Sequence, residues 1–191
     1  MLADITASSE RILTHKLSKG LNGSSVAIND ELGLAPAFSA AKLNLLFDPF
    51  HLAEQQFRFW QDSTRLWQST WLGMMGYETD PVIKPLKSDA RFKDELWNEH
   101  PIFDFIKQGY LLAARTLYGT MTGVQGLDEH TAGKVEFFTR QFIDALAPTN
   151  FLATNPAAQR EFLKTGGLSV LKGLRNLLSD MERGKGQLRI R

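Results

Sequence analysis

The chain has 191 residues, 43% of them hydrophobic, and sets 22 basic side chains against 21 acidic ones for a formal charge of +1. That length suits one compact domain with an arm rather than two full domains, and charges mixed along the chain leave no electrostatic footprint for nucleic acid. Cysteine is absent, which removes disulfides, thiolate metal sites and thiol catalysis from these residues and fits a reducing compartment.

The first 19 residues carry Ile5, Ile12, Leu13 and Leu17 at loose helical spacing, with Asp4, Glu10 and Arg11 where a signal peptide needs its apolar run. The stretch KGLNGSSVAINDELGLAPAFSA then mixes Gly, Ser, Asn and Pro with isolated apolar residues. Residues 1–47 therefore read as a leader and linker, mobile before Ala37. Nowhere do about 18 apolar residues follow one another, so no transmembrane segment is predicted and a cytoplasmic protein is expected.

At Asp48-Pro49 the pattern changes, because Asp caps helix N-termini and Pro is pre-set for the first helical position. A long helix is predicted over 48–76, ended by Gly76 and the prolines that follow. Phe50, Ala53, Phe57, Trp60, Trp67, Trp71 and Met74 recur at separations of three and four, broken only at Thr64, with Phe59 and Leu66 widening the stripe. Such a stripe faces either the protein's own core or a second subunit, partner protein or apolar particle, and both readings stand. Phe57, Trp60, Trp67 and Trp71 are the candidate interface residues.

Between Asp89 and His100 one or two helical turns are predicted, anchored by Phe92 and Trp97. Pro101 opens a helix with Ile102, Ile106, Tyr110, Ala113, Leu117 and Met121 on one face. Phe103, Phe105, Leu111 and Leu112 add so much apolar surface that burial on more than one side is expected. Gly119, Gly123 and Gly126 are expected to loosen the chain before Asp128 caps the next helix. There Val135, Phe138, Phe142 and Leu146 should face inward, with Glu136, Arg140 and Asp144 as an outward ladder of opposite charges. Pro148 stops that helix, Asn155 and Pro156 start a short one, Gly166-Gly167 closes it, and residues 168–181 form a last amphipathic helix. The ending Leu188, Arg189, Ile190, Arg191 alternates as a strand does.

No catalytic, cofactor-binding or metal-binding residue is nominated. His15, His51, His100 and His130 lack metal-ligand spacing, and three of them fall near predicted helix ends. Neither a nucleophile elbow nor a phosphate-binding glycine loop occurs, and Asp94, Glu95, Glu99 and Asp104 read as solvated helix carboxylates.

Two stretches carry a resemblance. FFTRQFIDALAPTNFLATNPAAQREFLKTGGLSVLKGLRNLLSDMERGKGQL resembles the N-terminal region of bacterial polyhydroxyalkanoate synthases, and SDARFKDELWNEHPIFDFIKQGYLLAARTL is similar to the segment that precedes it in that family. Together they cover residues 88–191 in the right order. The resemblance implies a parent acyltransferase of class I type that polymerises (R)-3-hydroxyacyl-coenzyme A into storage polyester. Its cysteine nucleophile belongs to a downstream α/β-hydrolase domain absent from this chain. It further implies a non-catalytic role here: self-association, contact with the catalytic domain of the same protein, and attachment to the granule surface or granule-associated proteins. A free-standing, phasin-like granule protein is the alternative.

The expectation is thus an all-α bundle of five to seven helices. It has a leader and linker over 1–47, a long amphipathic helix over 48–76 either packed along the bundle or projecting, and a compact helical domain over 88–191. In the NFLATNP run, Phe151 and Leu152 are expected to plug an apolar gap where the chain reverses and to help fix the meeting with the catalytic domain.

Overall fold

The computed structural model describes residues 33–183, all of them in helices, turns and loops with no strand among them. The elements are α1 (Leu34–Phe47), α2 (Pro49–Met74), a 3-10 turn (Ala90–Phe92), α3 (Leu96–Glu99), α4 (Pro101–Thr122), α5 (Glu129–Ala145), a second 3-10 turn (Pro148–Asn150), α6 (Pro156–Lys164) and α7 (Leu168–Arg183). The fold is all-α, as expected. The N-terminal helical turns, the leader before residue 33 and the alternating C-terminal end lie outside the described residues. The described residues fall into two compact units, 33–159 and 160–183, with the boundary inside α6.

Local chemistry sets most helix limits. Asp48 Oδ1 accepts from the His51 amide at 3.0 Å, and Pro49 occupies the first position of α2. At the other end Gly76 takes φ 88°, its amide bonds to Gly73 O and that of Tyr77 to Leu72 O. This αL closure with paired carbonyls is a Schellman motif, which glycine enters without Cβ strain. Asp128 Oδ1 accepts from the Thr131 amide at 3.0 Å to start α5. One cap escapes a propensity reading: the His100 ring Nδ1 accepts from the Ile102 amide at 3.3 Å, ahead of Pro101.

Helix α1 departs from expectation, since it lies in the stretch that reads as linker. Its apolar residues are spread around the whole helix and not confined to one face, so periodicity carries no signal. Gly33, at φ 63°, supplies no side-chain cap. What holds α1 is small-residue packing: Ala37 and Ala41 are buried with Val135 of α5, and Phe38, Met121 and Leu127 pack around them.

Helix α4 is the centre of the larger unit, with α2, α3, α5 and the Pro148–Asn150 turn all packed on it. This is the many-sided burial that its apolar surface predicts. Of the two arrangements open to the long helix, the structure has it packed along α4. The glycines at the end of α4 do not loosen it. The helix runs through Gly119 to Thr122, and a methyl group at Gly119 would meet the Gln55 side chain at 3.1 Å, while one at Gly123 would overlap the His51 ring. The two glycines let α2 and α4 approach closely.

Two buried residues of α4 are polar. Lys107 Nζ donates to Trp97 O at 2.8 Å and Asn98 Oδ1 at 2.7 Å, and pairs with Asp104 Oδ1 at 2.8 Å. Gln108 donates to Asp104 Oδ2 at 2.7 Å and accepts the Ile83 amide at 3.1 Å. A buried cation is tolerated only when paired and hydrogen-bonded, and here the same contacts fasten α3 and the loop before it to α4.

Candidate functional site

The stripe of large aromatic residues on α2 does not form the core. Phe57 is 70% exposed, Trp60 61%, Trp67 65% and Trp71 59%, whereas Leu66 is 2% exposed. His51, Gln55, Phe59, Asp62 and Leu66, at separations of four, four, three and four, are the less exposed line on α2. His51 Nε2 lies 3.3 Å from Thr120 O, and Arg115 donates to Asp62. At about 100° per residue, the Trp60–Trp67 line lies one residue round from this face. The glycines of α4 explain the choice, because the close approach they permit has room for His51 and Gln55 but not for indole rings.

Two ring contacts reach the outward face. Trp67 meets the Phe105 ring edge-on with centroids 5.7 Å apart, and Trp60 meets Phe59 at 5.8 Å. Phe50 and Met74 extend the apolar line towards the two ends of α2. Phe57, Trp60, Trp67 and Trp71 thus place four large exposed aromatic side chains along one line of α2.

A clasp centred on Arg91 joins the short segments to α4 and α5. Arg91 forks onto Asp89, with Nε to Oδ1 and Nη2 to Oδ2 both at 2.9 Å. Its Nη1 donates to Tyr110 Oη at 3.0 Å and to Asp144 Oδ1 at 2.8 Å. Tyr110 in turn donates to Ile143 O at 3.1 Å. The Arg91 hydrogen bond holds the Asp89 carboxyl below its ordinary range, and Asp89 raises the guanidinium correspondingly. Burial pushes the Tyr110 phenol up. Phe92 and Trp97, the predicted anchors, are buried in an edge-on pair at 5.1 Å.

The clasp also alters the expected charge ladder on α5. Arg140 does pair with Glu136 at 2.6 Å, but Asp144 turns to Arg91. Glu136 also accepts from Tyr118 Oη at 2.7 Å, and that hydrogen bond leads in lowering its carboxyl. Of the predicted inward face of α5, Val135 and Phe138 keep inward positions, while Phe142 and Leu146 are exposed and Thr139 is buried instead.

The NFLATNP run is a self-bonded reversal. Asn150 Nδ2 donates to Asp144 O at 2.8 Å and Ala145 O at 3.1 Å, closing the C-terminus of α5. Thr154 donates to Pro148 O, and Asn155 Nδ2 donates to Thr149 O at 2.7 Å. Asn155 Oδ1 accepts from the Ala157 and Ala158 amides, the cap expected before Pro156. Phe151 and Leu152 do not plug a gap: they are 48% and 38% exposed, and the buried residues of the turn are Ala147, Pro148 and Pro156. The polar side chains satisfy the backbone, which leaves the two apolar ones at the surface.

Of the remaining polar candidates, His51, His100, Asp94 and Asp104 have structural partners. His51, His100 and His130 sit at the starts of α2, α4 and α5, and His15 lies outside the described residues. Asp94 accepts from the Leu96 amide at 3.1 Å, and Asp104 is engaged by Lys107 and Gln108. Among the described residues no three His, Asp or Glu could together hold a metal ion, and no helix is long and apolar enough to cross a membrane. Sequence reasoning missed Arg91, Lys107, Gln108 and Tyr110 as organising residues. The Arg-Phe and Trp within the resembling segment were the available signal.

A family model described as the N-terminus of poly-beta-hydroxybutyrate polymerase (PhaC) matches residues 88–191. The chain is 41% identical over 146 residues to a poly(3-hydroxyalkanoate) polymerase of Methylorubrum extorquens, covering 76% of this chain and 24% of that protein. It is 36% identical over 146 residues to the polymerase subunit PhaC of Rhizobium meliloti, with the same two shares. To the PhaC subunit of Cupriavidus necator it is 36% identical over 137 residues, 72% of this chain and 22% of that one. The chain thus spans about a quarter of the length of these relatives. No solved structure gives a significant match.

Proposed function

The chain belongs to the family of PhaC N-termini, and from that premise we propose that it is a non-catalytic polymerase domain whose exposed α2 face mediates association. In this reading the Phe57, Trp60, Trp67 and Trp71 face meets a second subunit and the polyester granule or its proteins. The fold behind that face supports a catalytic domain of the same protein, and the protein resides in the cytoplasm on granules.

The observation that carries the proposal is the outward placement of large aromatics on a helix whose inner line is partly polar. Burying an exposed aromatic ring contributes roughly 1.5–3 kcal/mol, so a surface of four such rings stabilises contact with another apolar surface substantially. Phe151 and Leu152, exposed on a turn whose backbone is already satisfied, suit the contact with a catalytic domain. The phasin-like alternative is disfavoured because the polymerase relatives above match this chain through their own sequences.

The test has two arms on the purified chain. With 3-hydroxybutyryl-coenzyme A the expected release of coenzyme A is nil, and steady turnover would refute the non-catalytic assignment. With amorphous poly-3-hydroxybutyrate particles the chain should pellet, and complete retention in the supernatant together with a strictly monomeric state would refute the association role.

A further inference from the structure

Helix α7, in the smaller unit, gathers its apolar residues on one side. At about 100° per residue, Val170, Leu171, Leu174, Leu177 and Leu178 fall within about 120° of arc, with Lys172, Asn176 and Ser179 opposite. Gly167, at φ 86°, falls on the same arc. A methyl group there would meet the Phe162 ring of α6 at 3.2 Å, so the apolar strip continues onto that ring. Yet no residue from Leu168 to Asp180 is buried. Val170, Leu174 and Leu177 are 40–43% exposed, and Leu171 and Leu178 are only half-buried. A helix of 16 residues is marginal in water by itself, so a strip of this kind calls for a cover.

The start of the chain carries a matching strip. On a helix, Leu2, Ile5, Ile12, Leu13 and Leu17 would share about 140° of arc, with Asp4, Arg11 and Thr14 opposite. Residues 2–17 number 16, as α7 does, so the two strips match over about 24 Å. Residues 18–32 join this segment to Gly33. Fully extended they reach about 50 Å, against roughly 30 Å for the diameter of a small domain. A segment tethered in this way acts at roughly millimolar effective concentration, which a second copy or a foreign helix at micromolar concentration does not match.

We propose that the leader binds the α7 strip in cis. Residues 2–17 lie on it as an amphipathic helix, with Ile5, Ile12, Leu13 and Leu17 against Val170, Leu174 and Leu177. The leader thereby closes the strip to other apolar partners, which must displace it to bind there. This inference is independent of the association reading of α2.

The experiment uses the full 191-residue chain with 13C-methyl methionine. Because the chain has no cysteine, Ser8→Cys gives a single attachment point for a nitroxide at the middle of the leader, on its polar side. Met181, in the last turns of α7, supplies the methyl signal that is followed. Its signal is expected to be quenched while the nitroxide is oxidised and to return on reduction with ascorbate. Ile12→Asp with Leu13→Asp should lower the docked population at least about tenfold and restore the Met181 signal, while the helical circular-dichroism signal of the larger unit persists. Leu174→Gln, on the α7 side, should release the leader as well. A nitroxide-bearing chain without 13C, mixed with an equal amount of nitroxide-free 13C-methionine chain, should leave the Met181 signal intact. The proposal is overturned if Met181 is not quenched in the labelled chain, or if quenching survives the leader substitutions. Equal quenching in the mixture would also overturn it, because a second copy would then occupy the strip.

Discussion

Arg91 does more for the larger unit than any residue its sequence pattern singles out, because one guanidinium joins the Asp89 turn, Tyr110 of α4 and Asp144 of α5. A planar fork makes these bonds at once, and an ammonium cannot. Arg91→Ala should destabilise the chain by about 2–3 kcal/mol in urea unfolding, with Arg91→Lys recovering little of it. The same contact makes stability acid-sensitive. The folded Asp89 carboxyl titrates below its ordinary value of 3.8, so its contribution is complete above that pH and is lost as pH falls below it. An acid titration should show Asp89→Asn losing this portion of the pH dependence. Lys107→Ala should cost about 3–5 kcal/mol, since it leaves Asp104 and the Trp97 carbonyl partly buried without their partner.

At the scale of elements, α2 separates two kinds of apolar residue that look alike in sequence. Leu66→Ala should cost about 2.7–5 kcal/mol of unfolding free energy, as a buried leucine does, while Trp60→Ala should change it by about 0.5 kcal/mol or less. Asn155→Ala removes both the cap of α6 and the bond to Thr149 O, and a loss of about 1–2 kcal/mol is expected. Helix limits were legible wherever capping chemistry is local, as at Asp48-Pro49, Asp128 and Asn155-Pro156. Helix α1 was not legible, because its apolar residues have no preferred face and Gly33 provides no side-chain cap. The facing of α2 was not legible either. The heptad stripe predicts which residues share a side but not which side meets α4, and that depends on Gly119 and Gly123 in a helix some 60 residues away. The side chains of the NFLATNP run were half legible: Asn155 and Pro156 could be read from capping rules, but the exposure of Phe151 and Leu152 follows from tertiary placement of the turn.

The whole molecule brings these scales together. Polar clasps at Arg91, Lys107 and Glu136 hold the short segments and α5 to α4, and the helix pair α2–α4 closes through glycines. Of the large rings of α2, Phe57, Trp60, Trp67 and Trp71 are 59–70% exposed, with Trp67 resting one edge on Phe105, and in the proposed reading they meet another surface. The claim is tested most directly by sedimentation velocity of the chain and of its Trp60→Ala, Trp67→Ala form, each with and without polyester particles. The account predicts that the parent chain self-associates or co-sediments with the particles. The double variant should lose at least about tenfold in that association while keeping its helical content and melting temperature. Undiminished association of the variant, or its outright unfolding, would contradict the account.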